Sequence, residues 1–176
     1  MCIRDRLDYV QQHNAFWLVY WGNDPTEYGD ILAEAGFQRT ATLSIDHQGT
    51  PLYSYRYDRA ASDSIAQFGD LFALQKVHIP SQAIAGDRLQ VMLWWRAEQA
   101  IPLDYSVSVF VLDSTGTLVA QHDGPPLNGN SPTSTWEPGA LQFDVHNVRL
   151  PDALPPGEYQ LGVKVYWYCL LYTSPS

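Results

Sequence analysis

Two short polar runs carry the side chains that acid, base or metal chemistry draws on: His122-Asp123, and Asp144 with His146 two residues further on. Imidazoles and carboxylates are common zinc ligands, and two such pairs at strand ends would meet if the strands were neighbours. The alternation itself argues the other way. His122 and Asp123 point to opposite faces of an extended strand, and nothing in the sequence fixes their register with Asp144. Polar residues on a wet sheet face are the better reading of all four, so no metal, cofactor or catalytic residue is assigned. Asp24, Glu27 and Asp30 gather near a helix start, where they complement the helix dipole rather than form an acid/base pair. Gly-rich phosphate loops, nucleophile elbows and His-x-x-x-His spacings are lacking from the sequence.

The aromatic residues offer a second chemistry. Trp94, Phe110 and Tyr166 fall on strand faces opposite the main apolar ones, and Trp136 closes a loop, so Trp94, Trp136 and Tyr166 are candidates for stacking on sugar rings. The same rings would pack beneath the long loop or against the N-terminal part and make a second buried layer. Packing is the favoured reading, because an exposed cluster of large aromatics is costly in a soluble domain.

These candidates sit on elements that read clearly. From Asp87 to Pro126 apolar residues recur at every second position. Leu89, Val91, Leu93 and Trp95 share one strand face; Tyr105, Val107, Val109 and Val111 repeat the pattern, and Asp113-Ser114-Thr115-Gly116 turns the chain into a third strand at 117–121. This is a half-buried antiparallel meander. A strand at 71–79 precedes it. A Pro-, Asn-, Gly- and Ser-rich loop at 124–135 follows, ending in Trp136-Glu137-Pro138-Gly139 before the strand of Leu141, Phe143 and Val145. Pro156-Gly157-Glu158-Tyr159 leads into a last strand with Tyr159, Leu161, Val163, Val165 and Trp167 on one face. There a Tyr that hydrogen-bonds back across the connection is expected, as at an immunoglobulin-like corner.

Earlier in the chain, 15–21 is a continuous apolar run that reads as a strand buried on both faces. Tyr28, Ile31, Leu32 and Ala35 keep helical spacing up to Gly36, and two alternating strands follow around His47-Gln48-Gly49-Thr50-Pro51. The fold class expected is therefore mostly β: an antiparallel immunoglobulin-like or jelly-roll-like β-sandwich at 70–168, preceded by a truncated α/β segment at 7–58 and a linker at 59–69.

Residues 1–6 and 169–176 resemble the translated mosaic end of a library-preparation transposon and its reverse complement, and both are set aside as adapter artefact. Both cysteines, Cys2 and Cys169, lie there, so disulfide, zinc-thiolate and thiol-nucleophile chemistry lapse for the remainder. Without Arg4, Asp5 and Arg6 the ten Lys and Arg become eight, the nineteen Asp and Glu become eighteen, and the net charge moves from −9 to −10. That balance disfavours nucleic acid and anionic lipid headgroups, which need clustered Lys and Arg. Hydrophobic content of 45% and aromatic content of 13% suffice for a packed core.

At Trp95-Arg96-Ala97, Asp104-Tyr105-Ser106-Val107, Leu112-Asp113-Ser114-Thr115-Gly116, Gln121-His122-Asp123-Gly124-Pro125-Pro126, 132–139 and Leu154-Pro155-Pro156-Gly157-Glu158-Tyr159, the chain resembles the C-terminal soluble domain of large bacterial, Chloroflexi-like multi-span membrane glycosyltransferases. These are of the GT-C type, related to protein mannosyltransferases and aminoarabinose transferases. The resemblance implies a parent enzyme that takes sugar from a polyprenyl-phosphate carrier on the outer side of the cell membrane. Its catalytic acidic residues lie in loops between early membrane helices, so none is carried onto this chain. The implied role is a non-catalytic extracytoplasmic appendage, attached to the membrane through a missing N-terminal part, that recognises acceptor glycan or polymer or caps the membrane part. The rival reading is a secreted or surface-anchored carbohydrate-binding or adhesion module.

Overall fold

Period-two alternation sets the layers. The computed structural model describes residues 13–21, 27–59 and 64–167; the helix end that the sequence suggests at 7–14 lies outside them up to residue 12, as do the turn it suggests at 23–26, part of the linker and both terminal segments. The described residues form one helix and ten strands in three antiparallel sheets. Strands β1 (Ala15–Trp21), β2 (Phe37–His47) and β3 (Thr50–Arg59) make the first sheet, in the order β1-β3-β2, with helix α1 (Glu27–Glu34) on one face. The second sheet runs β4 (Ala66–Phe68), β5 (Phe72–His78), β6 (Arg88–Ala97), β9 (Leu141–Arg149). The third runs β10 (Gln160–Tyr166), β7 (Ser106–Leu112), β8 (Leu118–Gly124).

The fold is thus mostly β and sandwich-like, as the alternation implies. Leu89, Val91, Leu93 and Trp95 of β6 pack against Val107, Val109 and Val111 of β7, and this is the larger core. The opposite face of β6 is buried too. Trp94 joins Leu141 and Phe143 of β9, Leu127 of the long loop and Ala41 of β2 in a second cluster, so the first sheet lies against the outer face of the second and makes a third layer. Tyr55 and Tyr57, on the far side of β3, enclose Leu32 of α1 with Phe37 in a third cluster.

Three local expectations are met in detail. Gly36 ends α1 at φ 83°, a left-handed conformation that costs glycine nothing. Gln48 and Gly49, at φ 53° and 81°, form the two-residue turn that joins β2 to β3. The Tyr159 hydroxyl donates to the Pro155 carbonyl at 2.6 Å, the corner bond anticipated from Pro156-Gly157-Glu158-Tyr159.

Two others differ. The apolar run of β1 is not buried on both faces: β1 is an edge strand, and Val19 is 58% exposed while Phe16 and Leu18 pack toward α1. A continuous apolar run describes a central parallel strand only where a second layer covers both sides, and the second sheet reaches only part of this face. The stretch at 59–69 is not linker throughout. Residues 66–68 are β4, because Phe68 finds the edge of the Trp95 ring at 5.2 Å across the Gly69 turn.

Candidate functional site

Strand register brings together the polar residues that the sequence leaves apart. His146 and Asp144 stand opposite Val91 and Leu93 of β6, and His122 stands opposite Val109 of β7. Residues directly opposite on paired strands share a face, so all three side chains point between the second and third sheets. β8 and β9 are the edges of those sheets, and they lie side by side along one flank of the sandwich.

The result is a chain of hydrogen bonds. Asp144 Oδ2 lies 2.9 Å from His146 Nε2, and His146 Nδ1 lies 2.9 Å from His122 Nδ1. Since a carboxylate only accepts, His146 presents an N–H at Nε2. The second carboxylate oxygen accepts from the backbone amides of Leu127 at 2.9 Å and Val145 at 2.7 Å. Asp144 and His146 are 0% and 1% exposed. Burial, and then the neighbouring His146, push the His122 pKa below its usual 6.5; Asp123 and Asp144 act against that lowering and do not overcome it.

The wet-face reading of these residues is therefore corrected: Asp144 and His146 are enclosed in the sandwich, His122 is half-buried on the same inner face, and Asp123 is outside. The buried chain needed one fact that no local pattern holds, the adjacency of β8 and β9. Among the described residues no group of three or more His, Cys, Asp or Glu is arranged to hold a metal ion. The two Nδ1 atoms face each other at 2.9 Å; two imidazoles on one tetrahedral zinc would stand about 3.3 Å apart. What the arrangement does chemically is hold and share protons.

A loop closes over this chain. Leu127 and Asn128 sit in a tight turn at Pro126–Gly129 with φ 49° and 54°, left-handed values unusual for residues with a Cβ. Leu127 stays there because its amide is held by Asp144 and its side chain is buried in the second cluster. Further along, Thr133 Oγ1 donates to the Leu103 carbonyl and accepts from the Tyr105 amide, while Asp104 accepts from the Ser134 amide. Hydrogen bonds from Ser134 lower the Asp104 pKa.

The three aromatic candidates do not converge. Trp94 is 3% exposed, with Lys76 Nζ 4.6 Å and Arg56 Cζ 5.3 Å from its ring centroid. Trp136 is 3% exposed, donates from Nε1 to Ser131 Oγ at 2.9 Å and meets Phe72 edge-on at 5.9 Å. Both are packing residues. Tyr166 keeps a partly open ring, and its hydroxyl reaches Asp123 at 3.4 Å; burial, then that carboxylate, raise its pKa. Phe110 fills the space above Gly162 on the outer face of the third sheet.

Arg56 is the functional-looking residue that the sequence reading missed. Its guanidinium lies 3.9 Å from the Phe143 ring centroid and 5.8 Å from that of Trp17, and it pairs with Asp58 at 2.8 Å. Buried Thr40 donates to the same carboxylate. An aromatic cage filled by the chain's own arginine is a clamp between sheets, not a vacant cation site. At the sandwich end, Ile84, Leu89, Val111, Leu154 and Tyr159 line an apolar groove of about 940 Å³. Comparison with protein-family models, curated proteins and solved structures yields no match.

Proposed function

We propose that this chain is a non-catalytic, extracytoplasmic β-sandwich portion of a polyprenyl-phosphate-sugar-dependent membrane glycosyltransferase. The observation that carries the reading is what the resembling residues do. Trp136 fills the core, Asp113 accepts from the Thr115 and Thr117 amides to shape the β7–β8 turn, Tyr159 makes the corner bond, and Asp104 pins the long loop. They are scaffold residues, as an appendage requires, and the transferase's own acidic residues belong to loops outside this chain. On this reading the parent acts at the outer face of the cell membrane. No helix among the described residues is long and apolar enough to cross a membrane, so the spans would be contributed by other parts of the parent.

The secreted carbohydrate-binding alternative is weakened by the burial of Trp94 and Trp136, which leaves Tyr166 as the single candidate ring of the three with open area. Long-read sequencing of the locus through both ends of the chain tests the proposal. Repeated apolar runs of about twenty residues upstream are expected. A short reading frame with a cleavable signal would overturn it and make glycan-array binding of the sandwich the next question.

A further inference from the structure

The geometry points to Asp144, His146 and His122 forming an acid-opened latch: it holds β8 against β9, keeps the Pro126–Gly129 turn docked over both, and lets go when both imidazoles become charged. The argument is a proton count. Two imidazoles have four ring nitrogens, and the Nδ1 to Nδ1 contact at 2.9 Å has room for one proton. With two or three protons on the pair, that contact keeps one donor and one acceptor, and His146 Nε2 still donates to Asp144. A fourth proton sets N–H against N–H, and it places two cations in a site where His146 is 1% exposed and only one carboxylate, Asp144, accepts from the pair.

Every neighbour fits this count. β6 and β7 present Val91 and Val109 opposite His146 and His122. On β8, Asp123 lies on the outer face, where it takes hydrogen bonds from Gln121 and from Tyr166 of β10. Among the described residues, Asp144 is thus the one carboxylate inside with the pair. Because burial and His146 lower the His122 pKa, an opened form in which the His122 ring meets water freely binds more protons than the latched form. Acid therefore favours opening. The latch is at full strength above about pH 6.5, the ordinary value for an exposed imidazole, and weakens as the pH falls below it. Its load is already poised: left-handed Leu127 donates its amide to the Asp144 carboxylate that also anchors His146.

Amide exchange by NMR on the intact chain tests this, with protection factors at pH 7.5 and pH 5.0. For one proton, protection at the Leu127 amide is expected to fall by up to about 30-fold over that interval. The Thr117 amide, bound to Asp113 at the far end of β8, keeps its protection, because hydrogen bonds from Thr115 and Thr117 hold the Asp113 pKa below its usual value. His122→Gln, which still hydrogen-bonds but does not titrate, is expected to keep Leu127 protection level with pH; His122→Phe serves if the Gln variant fails to fold. Equal pH dependence in wild type and either variant overturns the latch, as does wild-type protection that is flat with pH. A parallel fall at Thr117 and Leu127 would mean general acid unfolding and would overturn it too.

Discussion

Asp144 is held from three sides. One carboxylate, 0% exposed, accepts from the Leu127 and Val145 amides and from His146 Nε2. Asp144→Ala would strand a buried amide and a buried imidazole, at a cost of about 3 kcal/mol or more. Asp144→Asn costs less, because its carbonyl oxygen still accepts from Leu127. Urea midpoints at pH 7.5 separate the two, and an Ala variant within about 0.5 kcal/mol of wild type would show that the carboxylate holds nothing. Trp136 gives a second residue-scale expectation. Its ring is enclosed and its indole N–H is bound to Ser131, so Trp136→Ala is expected to cost about 3–5 kcal/mol. An unchanged melting temperature together with lost glycan binding would restore the sugar-stacking reading. These two residues also mark what was legible. Trp136 reads as a packing residue from its place at a loop end, because burial is the ordinary fate of a large ring. Asp144 and His146 read as surface, because alternation gives a strand two faces and does not say which one a distant strand will cover.

Elements are joined by features that only pairing reveals. On the third sheet, Gly162 of β10 stands opposite Phe110 of β7, and the ring occupies the space where a Cβ at 162 would go. Gly162→Ala is therefore expected to displace the ring and cost about 1–3 kcal/mol. Combining it with Phe110→Ala should cost less than the two single changes together. A double-mutant cycle by urea unfolding checks this, and simple additivity would show that the ring is not held there. Between the first and second sheets, Arg56 links Asp58 and Thr40 to Phe143 and Trp94. Arg56→Ala would leave the Asp58 carboxylate, 2% exposed, without its cation, and about 3–5 kcal/mol is expected to be lost. Arg56→Met with Asp58→Leu should recover much of that, since apolar replacement of a buried pair is often tolerated. The sequence shows Ser54, Arg56 and Asp58 on one face of β3 and three tyrosines on the other. It does not show that the polar face meets β9, more than eighty positions later in the chain.

The whole molecule is arranged around a middle sheet buried on both sides. β6 turns Val91, Leu93 and Trp95 toward the third sheet and Trp94 toward the first. Its near-continuous apolar sequence, Val91 to Trp95, has that physical meaning, whereas the similar run in β1 forms an edge strand whose face toward the second sheet stays half open. Such runs indicate hydrophobicity on both faces, but the number of layers is decided by which other sheets arrive. This bears on whether the first sheet is a separable domain. If it is, residues 64–167 fold alone. The clusters argue otherwise: removing β1, α1, β2 and β3 would uncover Trp94, Phe143, Leu141 and Leu127 as one contiguous apolar patch, of the kind that binds hydrophobic dyes and drives association. Expression of 64–167 is therefore expected to give a product that binds ANS, self-associates and melts below the full chain. Replacing Trp94 and Phe143 by polar residues in that fragment should reduce both dye binding and association. A monomeric 64–167 that melts with the full chain and ignores ANS would show instead that the first sheet only rests on the sandwich, and that 59–69 joins two independent folding units.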